Sequence, residues 1–206
     1  MNQSSSAGSG RTDRGLILAS TSRYRRELLE RLRLPFQVLA PGVDETPLPG
    51  EAPAALARRL ALAKAQAVAR LHPQAVVIGS DQVADLDGHS LGKPGTHDKA
   101  VAQLRLMRGH SVVFQTAVAV VCQAQGFADE RLAEVRVRFR DLSDAEIENY
   151  LRAEQPYDCA GSAKSEGLGI ALLQAIDSDD PTALIGLPLI RTCELLRAAG
   201  IDPLAT

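Results

Sequence analysis

The amino-acid sequence predicts an α/β protein, a single domain with a mixed, mostly parallel twisted sheet flanked by helices. From residue 16 onward, apolar runs of strand length alternate with segments of helical periodicity, as in sheets whose strands are joined by helices. Two consecutive long segments rich in β-branched residues, 112–121 and 132–139, favour an antiparallel pair within that sheet. With 206 residues, 45% of them hydrophobic, the chain can bury a substantial core. We expect this domain to cover residues 15–206, after a polar, Ser/Gly-rich and flexible tail at 1–14.

Each expected element rests on a local pattern of the sequence. Pro53 suits the first turn of an Ala-rich helix, and Asp87-Gly88 is a strong hairpin signal between two short strands. The segment 143–146, Ser-Asp-Ala-Glu, has the spacing of a capping box that opens a helix ending before Pro156. The predicted strands cover residues 16–19, 36–40, 75–79, 83–86, 90–91, 112–121 and 132–139, and the predicted helices cover residues 25–34, 53–71, 97–107, 144–155 and 188–199.

The composition excludes several classes of partner. The formal net charge is only −2 and the chain has no tryptophan, so we expect neither nucleic-acid binding nor binding to an anionic membrane. No apolar run approaches the length of a membrane span, and residues 1–14 lack the apolar core of a signal peptide. The three cysteines and four histidines are scattered, which predicts reduced thiols and no zinc site. A cytoplasmic protein is therefore expected.

The segment that follows the first predicted strand has the features of a phosphate site. Ser20 and Ser22 lead into a helix whose first turn carries Arg25 and Arg26. Free amides at a helix N-terminus favour an anion, and guanidinium groups form forked hydrogen bonds with phosphate. An ordinary Ser-capped helix with solvated arginines would explain the same residues.

A second polar cluster, Ser80-Asp81-Gln82, follows the predicted strand 75–79. If this strand and the first one are parallel neighbours, both clusters open on the same rim of the sheet. A carboxylate such as Asp81 at a strand end can hold a divalent cation or accept a proton from an attacking water. A turn-forming aspartate is the simpler alternative.

Charged residues elsewhere could complete such a site. Glu45 lies in a Pro-flanked loop, Lys93 is held between Gly and Pro, and Lys64 interrupts a helix of Ala and Leu. Lys164 and Glu166 lie in a loop of small residues, which permits close approach to a ligand. Each of these residues could instead be solvated or part of an ordinary turn. Together they indicate a phosphorylated ligand, one or two hard cations and a water activated by a carboxylate.

Five segments of the chain occur in an order that resembles a known family. They are Leu-Ala-Ser-Thr-Ser at 18–22 with Arg25-Arg26, Val-Asp-Glu-Thr at 43–46, Ile-Gly-Ser-Asp-Gln-Val at 78–83, Gly-Lys-Pro at 92–94, and Ala-Gly-Ser-Ala-Lys-Ser-Glu-Gly at 160–167. Apart from the tail, the chain resembles the Maf-family nucleoside triphosphate pyrophosphatases from end to end. The resemblance implies a Maf/inosine triphosphatase-like fold and hydrolysis of a nucleoside triphosphate to its monophosphate and pyrophosphate. It also implies a divalent metal cofactor, Mg²⁺ or Mn²⁺.

The resemblance assigns roles to individual residues. It implies that Asp81 is the general base and, with Glu45, a metal ligand. The implied specificity positions are Tyr24, Gln82 and Glu166. The implied phosphate-binding residues are Ser20, Ser22, Arg25, Arg26, Lys64, Lys93 and Lys164.

Within the family, the chain most resembles the 7-methyl-GTP pyrophosphatase subgroup. An aromatic residue before the Arg pair, Ser-Asp-Gln at 80–82 and Ser-Glu-Gly at 165–167 carry this closer match. Methylation at N7 makes guanine cationic, so stacking on Tyr24 and hydrogen bonds to Glu166 would gain on the order of 1–2 kcal/mol over GTP. Three positions depart from the family pattern: Arg23 replaces the usual Pro, Tyr24 the usual Trp and Ala63 a frequent Glu.

Two other functions are compatible with the sequence. A Maf-like enzyme acting on dTTP or UTP is the nearer alternative, although Tyr24 and Glu166 argue against it. A non-catalytic, nucleotide-sensing regulator of cell division is the other, although Asp81 and Lys93 favour catalysis. A homodimer is compatible with the sequence, since two-fold dimers are the commonest soluble assembly, but no segment indicates an interface.

Overall fold

A computed structural model describes residues 15–205, and these residues contain one seven-stranded mixed sheet. Its strands run in the order β2-β1-β3-β5-β6-β7, with the short strand β4 paired to the far end of β3. The strands are β1 (Leu16–Ala19), β2 (Phe36–Leu39), β3 (Val76–Leu86), β4 (His89–Leu91), β5 (Ser111–Cys122), β6 (Phe127–Phe139) and β7 (Leu173–Ser178).

The mixed sheet and its flanking helices are confirmed, with a smaller parallel part than predicted. Only β1 pairs in parallel, with β2 on one side and β3 on the other. The pairings of β3 with β4 and β5, of β5 with β6, and of β6 with β7 are antiparallel. Tight turns can join β3 to β4 and β5 to β6, because antiparallel strands need no crossover connection. The parallel part nevertheless matters most for function, because its strand ends carry the predicted polar residues.

Within residues 15–205, five α-helices flank this sheet. They are α1 (Arg23–Glu30), α2 (Pro53–Leu71), α3 (His97–Met107), α4 (Asp144–Glu154) and α5 (Leu189–Ala198). Helices α2 and α3 have the predicted bounds, and α4 has the predicted capping box between Ser143 and Glu146. Helix α1 begins two residues earlier than predicted, with Ser22 as its N-cap, and ends at Glu30. Among the described residues, no helix combines the length and apolar character needed to cross a membrane.

Both faces are covered in β1 and in the part of β3 that pairs with it, residues 76–79, which explains why these two segments are apolar throughout. Ile17 and Ala19 face a cluster built on α2, whereas Leu16 and Leu18 face a cluster that includes residues of α1 and α5. A third cluster packs α3 and α4 against the beginning of β5 and the end of β6. The predicted tail at 1–14 lies outside the described residues.

Helix α2 packs unusually closely on β3 because Gly79 has no side chain. A Cβ atom at Gly79 would lie only 2.2 Å from the carbonyl oxygen of Ala61 and 2.6 Å from the amide nitrogen of Ala65. The alanines of α2 allow the same approach from the helix side. Lys64 precedes Ala65 and Asp81 lies two residues beyond Gly79, so this contact also brings two predicted site residues together.

The N-terminus of α5 is capped by a buried aspartate, Asp180, a role that was not predicted from the sequence. One carboxylate oxygen of Asp180 accepts hydrogen bonds from the amides of Ile190 (2.8 Å) and Arg191 (3.2 Å). The other oxygen accepts from the amide and hydroxyl of Thr182. Because Pro188 at the N-cap provides no side-chain hydrogen bond, Asp180 takes over the capping role and ties the preceding loop to α5.

Two predictions of secondary structure were wrong. Ser80-Asp81-Gln82 does not follow a strand but lies within β3, which continues to Leu86 because β5 pairs with it from Val77 to Asp85. Strand β7 at the edge of the sheet was missed, since its sequence, Leu-Gln-Ala-Ile-Asp-Ser, lacks a run of β-branched residues.

Candidate active site

A cavity of about 610 Å³ opens where β1 and β2 end. The residues around it come from the start of α1, the loop after β2, helix α2, strand β3, the loop after β4, the loop at 158–166 and the loop at 184–186. The predicted site residues among them are Ser20, Ser22, Tyr24, Arg25, Glu45, Lys64, Gln82, Lys93 and Glu166. The structure therefore brings nine of the predicted residues to one cavity.

The shared rim arises because β1 is shorter than β3. The parallel pairing of β1 with β3 ends at the Ala19–Gly79 pair, after which the chain leaves β1 and enters α1. Strand β3 continues alone on that side, so Ser80, Asp81 and Gln82 lie beyond the end of its neighbour. The predicted juxtaposition of the two polar clusters is thus confirmed, although Asp81 lies inside a strand.

The start of α1 has the geometry of an anion site. Ser20 Oγ accepts a hydrogen bond from the amide of Ser22 (3.1 Å), and Ser22 Oγ accepts one from the amide of Arg25 (3.4 Å). The amides of Arg23 and Tyr24 donate to no acceptor among residues 15–205. Free amides at the positive end of a helix dipole suit a phosphate group.

Arg25 is positioned toward this cavity by a backbone carbonyl. Its Nε donates a hydrogen bond to the carbonyl oxygen of Gly186 (2.8 Å), which orients the guanidinium. Burial lowers the pKa of Arg25, and the charges of Asp81 and Glu45 oppose that change. Because Arg25 is partly exposed and lines the cavity, its guanidinium is available to form forked hydrogen bonds with an incoming phosphate.

Lys64 bridges the two carboxylates that were predicted to hold a metal. Its Nζ lies 2.7 Å from Asp81 Oδ1 and 2.7 Å from Glu45 Oε1. The side chains of Lys64 and Asp81 are only 5% and 10% exposed, whereas that of Glu45 is 52% exposed. Asp81 is not among the residues that line the cavity, so its carboxylate lies behind Lys64.

Glu45 lies in a strongly positive environment. Burial works to raise the pKa of its carboxyl, but the hydrogen bond and charge of Lys64 outweigh burial and lower it. The charges of Lys93 and Arg25 lower the pKa further. Lys64, Lys93 and Arg25 thus outnumber the two carboxylates of Glu45 and Asp81, which leaves a net positive charge for a polyanionic ligand.

Tyr24 and Glu166 both line the cavity. The guanidinium of Arg23 lies 4.7 Å from the centre of the Tyr24 ring and donates a 2.7 Å hydrogen bond to its hydroxyl. Arg23 therefore contacts both the face and the hydroxyl of the Tyr24 ring. Burial raises the pKa of the Glu166 carboxyl, and the charges of Glu154 and Asp158 add to this against the attraction of Lys164.

Cys159 also lines the cavity and contacts Tyr24. Its Sγ lies 3.9 Å from the Tyr24 hydroxyl. Burial and then the charge of Asp158 raise the pKa of the thiol to about 12. The thiol is consequently protonated at neutral pH, which makes it a packing residue here and not a nucleophile.

The loop at 183–186 forms a wall of the cavity that sequence reasoning missed. Leu184, Ile185 and Gly186 line the cavity, and buried polar side chains of β3 and β5 hold their segment. The single hydroxyl hydrogen of Ser80 lies between the carbonyls of Ala117 (2.8 Å) and Gly186 (3.0 Å), so Ser80 links β5 to this segment. Thr116 Oγ1 donates to the carbonyl of Ala183 (3.0 Å). No charged residue marks this wall in the sequence, and the buried polar residues Ser80 and Thr116 in β3 and β5 were the available signal.

Two predicted phosphate-binding residues are directed elsewhere. Arg26 forms an exposed ion pair with Glu30 at 3.0 Å and does not line the cavity. Lys164 pairs with Glu154 and also lies outside the lining, although its Nζ is 6.0 Å from the centre of the Tyr24 ring. Either side chain would have to leave its carboxylate partner to reach a bound phosphate.

The arrangement combines a phosphate-binding helix start, a cluster of cations and a buried carboxylate, which are the components that phosphoryl chemistry requires. Comparison with known sequences agrees with this description. The profile of the Maf-like protein family matches residues 15–199. The chain belongs to the Maf family.

Several relatives of this Maf protein carry a functional name. A protein named 7-methyl-GTP pyrophosphatase from Polaromonas sp. is 75% identical over 92% of this chain and 87% of its own length. Proteins of the same name from Albidiferax ferrireducens and Burkholderia thailandensis are 70% and 64% identical. These alignments cover 93% and 90% of this chain and 96% and 87% of the two relatives.

Proposed function

We propose that this Maf protein hydrolyses 7-methyl-GTP to 7-methyl-GMP and pyrophosphate in the cytoplasm. The observation that carries the proposal is that one cavity joins a phosphate-binding helix start to an aromatic ring and a carboxylate. Tyr24 lies on α1 itself, so a base stacked on its ring would hold its phosphates near the free amides and Arg25. The names of the relatives support the same substrate.

The positive groups of the cavity would bind the triphosphate. Ser20 and Ser22 shape the start of α1, while Arg25, Lys64 and Lys93 line the cavity. These cations would neutralise the charge that builds on the pyrophosphate leaving group. Preorganised charges of this kind commonly stabilise a transition state by about 3–4 kcal/mol each.

Asp81 would act as the general base. Its carboxylate is buried and oriented by Lys64 at 2.7 Å, which fixes the direction from which a water could be bound. A fixed carboxylate within hydrogen-bond reach of the attacking water can take up the proton that the water loses. Movement of the Lys64 ammonium toward the triphosphate would open Asp81 to the cavity.

The carboxylates of Glu45 and Asp81 fit a divalent cation such as Mg²⁺ or Mn²⁺. They converge on a single point, now the Lys64 ammonium, and hard cations prefer such oxygen ligands together with water and phosphate oxygens. When bound, the cation would supply positive charge to the phosphates and a lower pKa for the attacking water.

The base would be selected by Tyr24 and Glu166. N7 methylation places a positive charge on guanine, which favours both the face of the Tyr24 ring and the nearby carboxylate. The carboxylate of Glu166 can accept hydrogen bonds from the N1 and exocyclic N2 hydrogens of guanine. Thymine and uracil do not present this pair of donors, so dTTP and UTP should be poorer substrates.

Pyrophosphate release from a panel of nucleotides tests the proposal. The panel contains 7-methyl-GTP, GTP, dTTP, UTP and CTP with Mg²⁺ or Mn²⁺, and Asp81→Ala is the inactive control. Strong preference for 7-methyl-GTP, lost in the control, is the expected result. Preference for dTTP or UTP would overturn the substrate, and no release from any nucleotide would indicate a nucleotide sensor.

A further inference from the structure

Two loops that contribute to the cavity are joined by a side chain that does not line it. Gln103 lies on α3, and its Nε2 donates a hydrogen bond to the carbonyl oxygen of Gly92 at 3.0 Å. Its Oε1 accepts a hydrogen bond from the hydroxyl of Ser162 at 2.6 Å. Gly92 directly precedes Lys93, and Ser162 belongs to the same loop as Glu166. The Gln103 amide therefore links the loop that carries Lys93 to the loop that carries Glu166.

The chemistry of the two partners fixes the direction of the Gln103 amide. A backbone carbonyl can only accept a hydrogen bond, so the amide nitrogen has to face Gly92. The amide oxygen then faces the Ser162 hydroxyl and accepts its single hydrogen. The direct contact between the loops is longer, because the amide nitrogen of Gly161 lies 3.4 Å from the carbonyl oxygen of Gly92. Gln103 therefore provides the shorter hydrogen bonds between them.

Ser162 is also held by a residue of α4. Its carbonyl accepts a hydrogen bond from the Tyr150 hydroxyl (3.2 Å), which in turn accepts one from the amide of Lys164 (3.1 Å). Ser162 is fully buried and has a φ of 55°, a left-handed conformation that favours glycine. Such a conformation costs free energy and persists where the surrounding structure determines it. The hydrogen bonds of Ser162 to Gln103 and Tyr150 provide that constraint.

We infer that Gln103 and Ser162 are positioning residues that hold Lys93 and Glu166 at a fixed separation in the cavity. The inference rests on the proposed function, in which Lys93 binds phosphate and Glu166 recognises the base. Neither Gln103 nor Ser162 lines the cavity, so each acts only through the loop that it holds. A nucleotide that contacts both loops needs the correct separation, because a small misplacement of the bound groups costs much of the rate.

Hydrogen exchange of the free protein tests whether Gln103 holds the two loops. Gln103→Met keeps the length of the side chain but removes both hydrogen bonds. Amides in residues 92–96 and 160–168 should then exchange at least about five-fold faster, the factor that corresponds to the loss of one hydrogen bond. Gln66→Met is the matched control, because Gln66 is also a partly buried helix residue and does not line the cavity. This control should retain wild-type exchange in both loops.

Turnover tests whether the separation of the loops matters for the reaction. Gln103→Met should lower kcat for both 7-methyl-GTP and UTP through Lys93. Through Glu166 it should also lower the ratio of the two kcat/KM values about ten-fold. Ser162→Ala leaves the hydrogen bond from Gln103 to Gly92 in place, so it should lower this ratio with a smaller loss of kcat. A mere loss of folded protein would lower both rates equally and leave KM and the ratio unchanged.

Two results would overturn the inference: wild-type exchange in both loops of Gln103→Met, or faster exchange together with a wild-type substrate ratio. Equal changes in Gln66→Met would overturn it as well. If the wild-type protein releases no pyrophosphate from any nucleotide, the enzymatic function is overturned. In that case the exchange rates alone decide whether Gln103 holds the two loops.

Discussion

Replacing Lys64 by methionine should lower the free energy of unfolding by about 3 kcal/mol, because it leaves a buried carboxylate without its partner. Removing one member of a buried ion pair typically costs about 3–5 kcal/mol. The Asp81 side chain is only 10% exposed, which places the pair in that class. Glu45 is 52% exposed and can be solvated by water, so its lost contact should add little and the lower end of the range applies.

Urea unfolding at pH 7, followed by far-ultraviolet circular dichroism, measures this change in a chain without tryptophan. The double variant Lys64→Met/Asp81→Asn should recover most of the loss, since the buried charge is then gone as well. Arg26→Met is the matched control: its ion pair with Glu30 is exposed at both ends and should contribute at most about 0.5 kcal/mol. A loss below about 1 kcal/mol in Lys64→Met would refute the reasoning.

Four further outcomes are expected. Asp81→Asn should reduce the rate of pyrophosphate release at least about a hundred-fold, and near-full turnover would remove Asp81 as the general base. Chelation of divalent ions should abolish turnover, and full activity in chelator would exclude the metal. Burial raises the pKa of the Glu166 carboxyl above its ordinary value of 4.5, so this carboxylate becomes protonated at a higher pH than usual. The preference for 7-methyl-GTP over UTP should therefore begin to decline above pH 4.5 on acidification, and the Glu166→Gln variant should show no such decline. Gly79→Ala should lower stability by about 1–3 kcal/mol in urea unfolding because its Cβ would overlap α2, whereas Gly92→Ala, with open space, should not.

The sequence predicted the elements whose signals are local. The bounds of α2 and α3, the Asp87-Gly88 hairpin and the capping box of α4 each depend on a few adjacent residues, and all are confirmed. The length of β3 depends on β5, which lies some 30 positions away in the chain and pairs with β3 through Asp85. From the sequence alone, a polar run inside such a strand resembles the end of the strand, because the strand that pairs with it lies far away in the chain.

The structure brings most of the predicted site residues to one cavity, but the contacts that they make there could not be predicted from the sequence. Arg25 and Arg26 appear equivalent in the sequence, but successive helix residues differ by about 100° in direction, so only Arg25 faces the cavity. Lys64 was predicted for phosphate, whereas the structure pairs it with Asp81 and Glu45. The Thr116 contact with Ala183 spans 67 positions, and no local pattern indicates it.

The capping of α5 by Asp180 has a consequence for the dynamics of the protein. The hydroxyl of Thr182 donates a hydrogen bond to the Asp180 carboxylate and accepts one from the amide of Leu189. The loop at 183–186, which follows Thr182, is therefore anchored to the first turn of α5. A nucleotide that rests against this loop would restrain it, and the restraint would pass to a helix that does not line the cavity. Amide hydrogens in the first turns of α5 should therefore exchange with deuterium more slowly when nucleotide is bound, which makes this remote helix a reporter of occupancy.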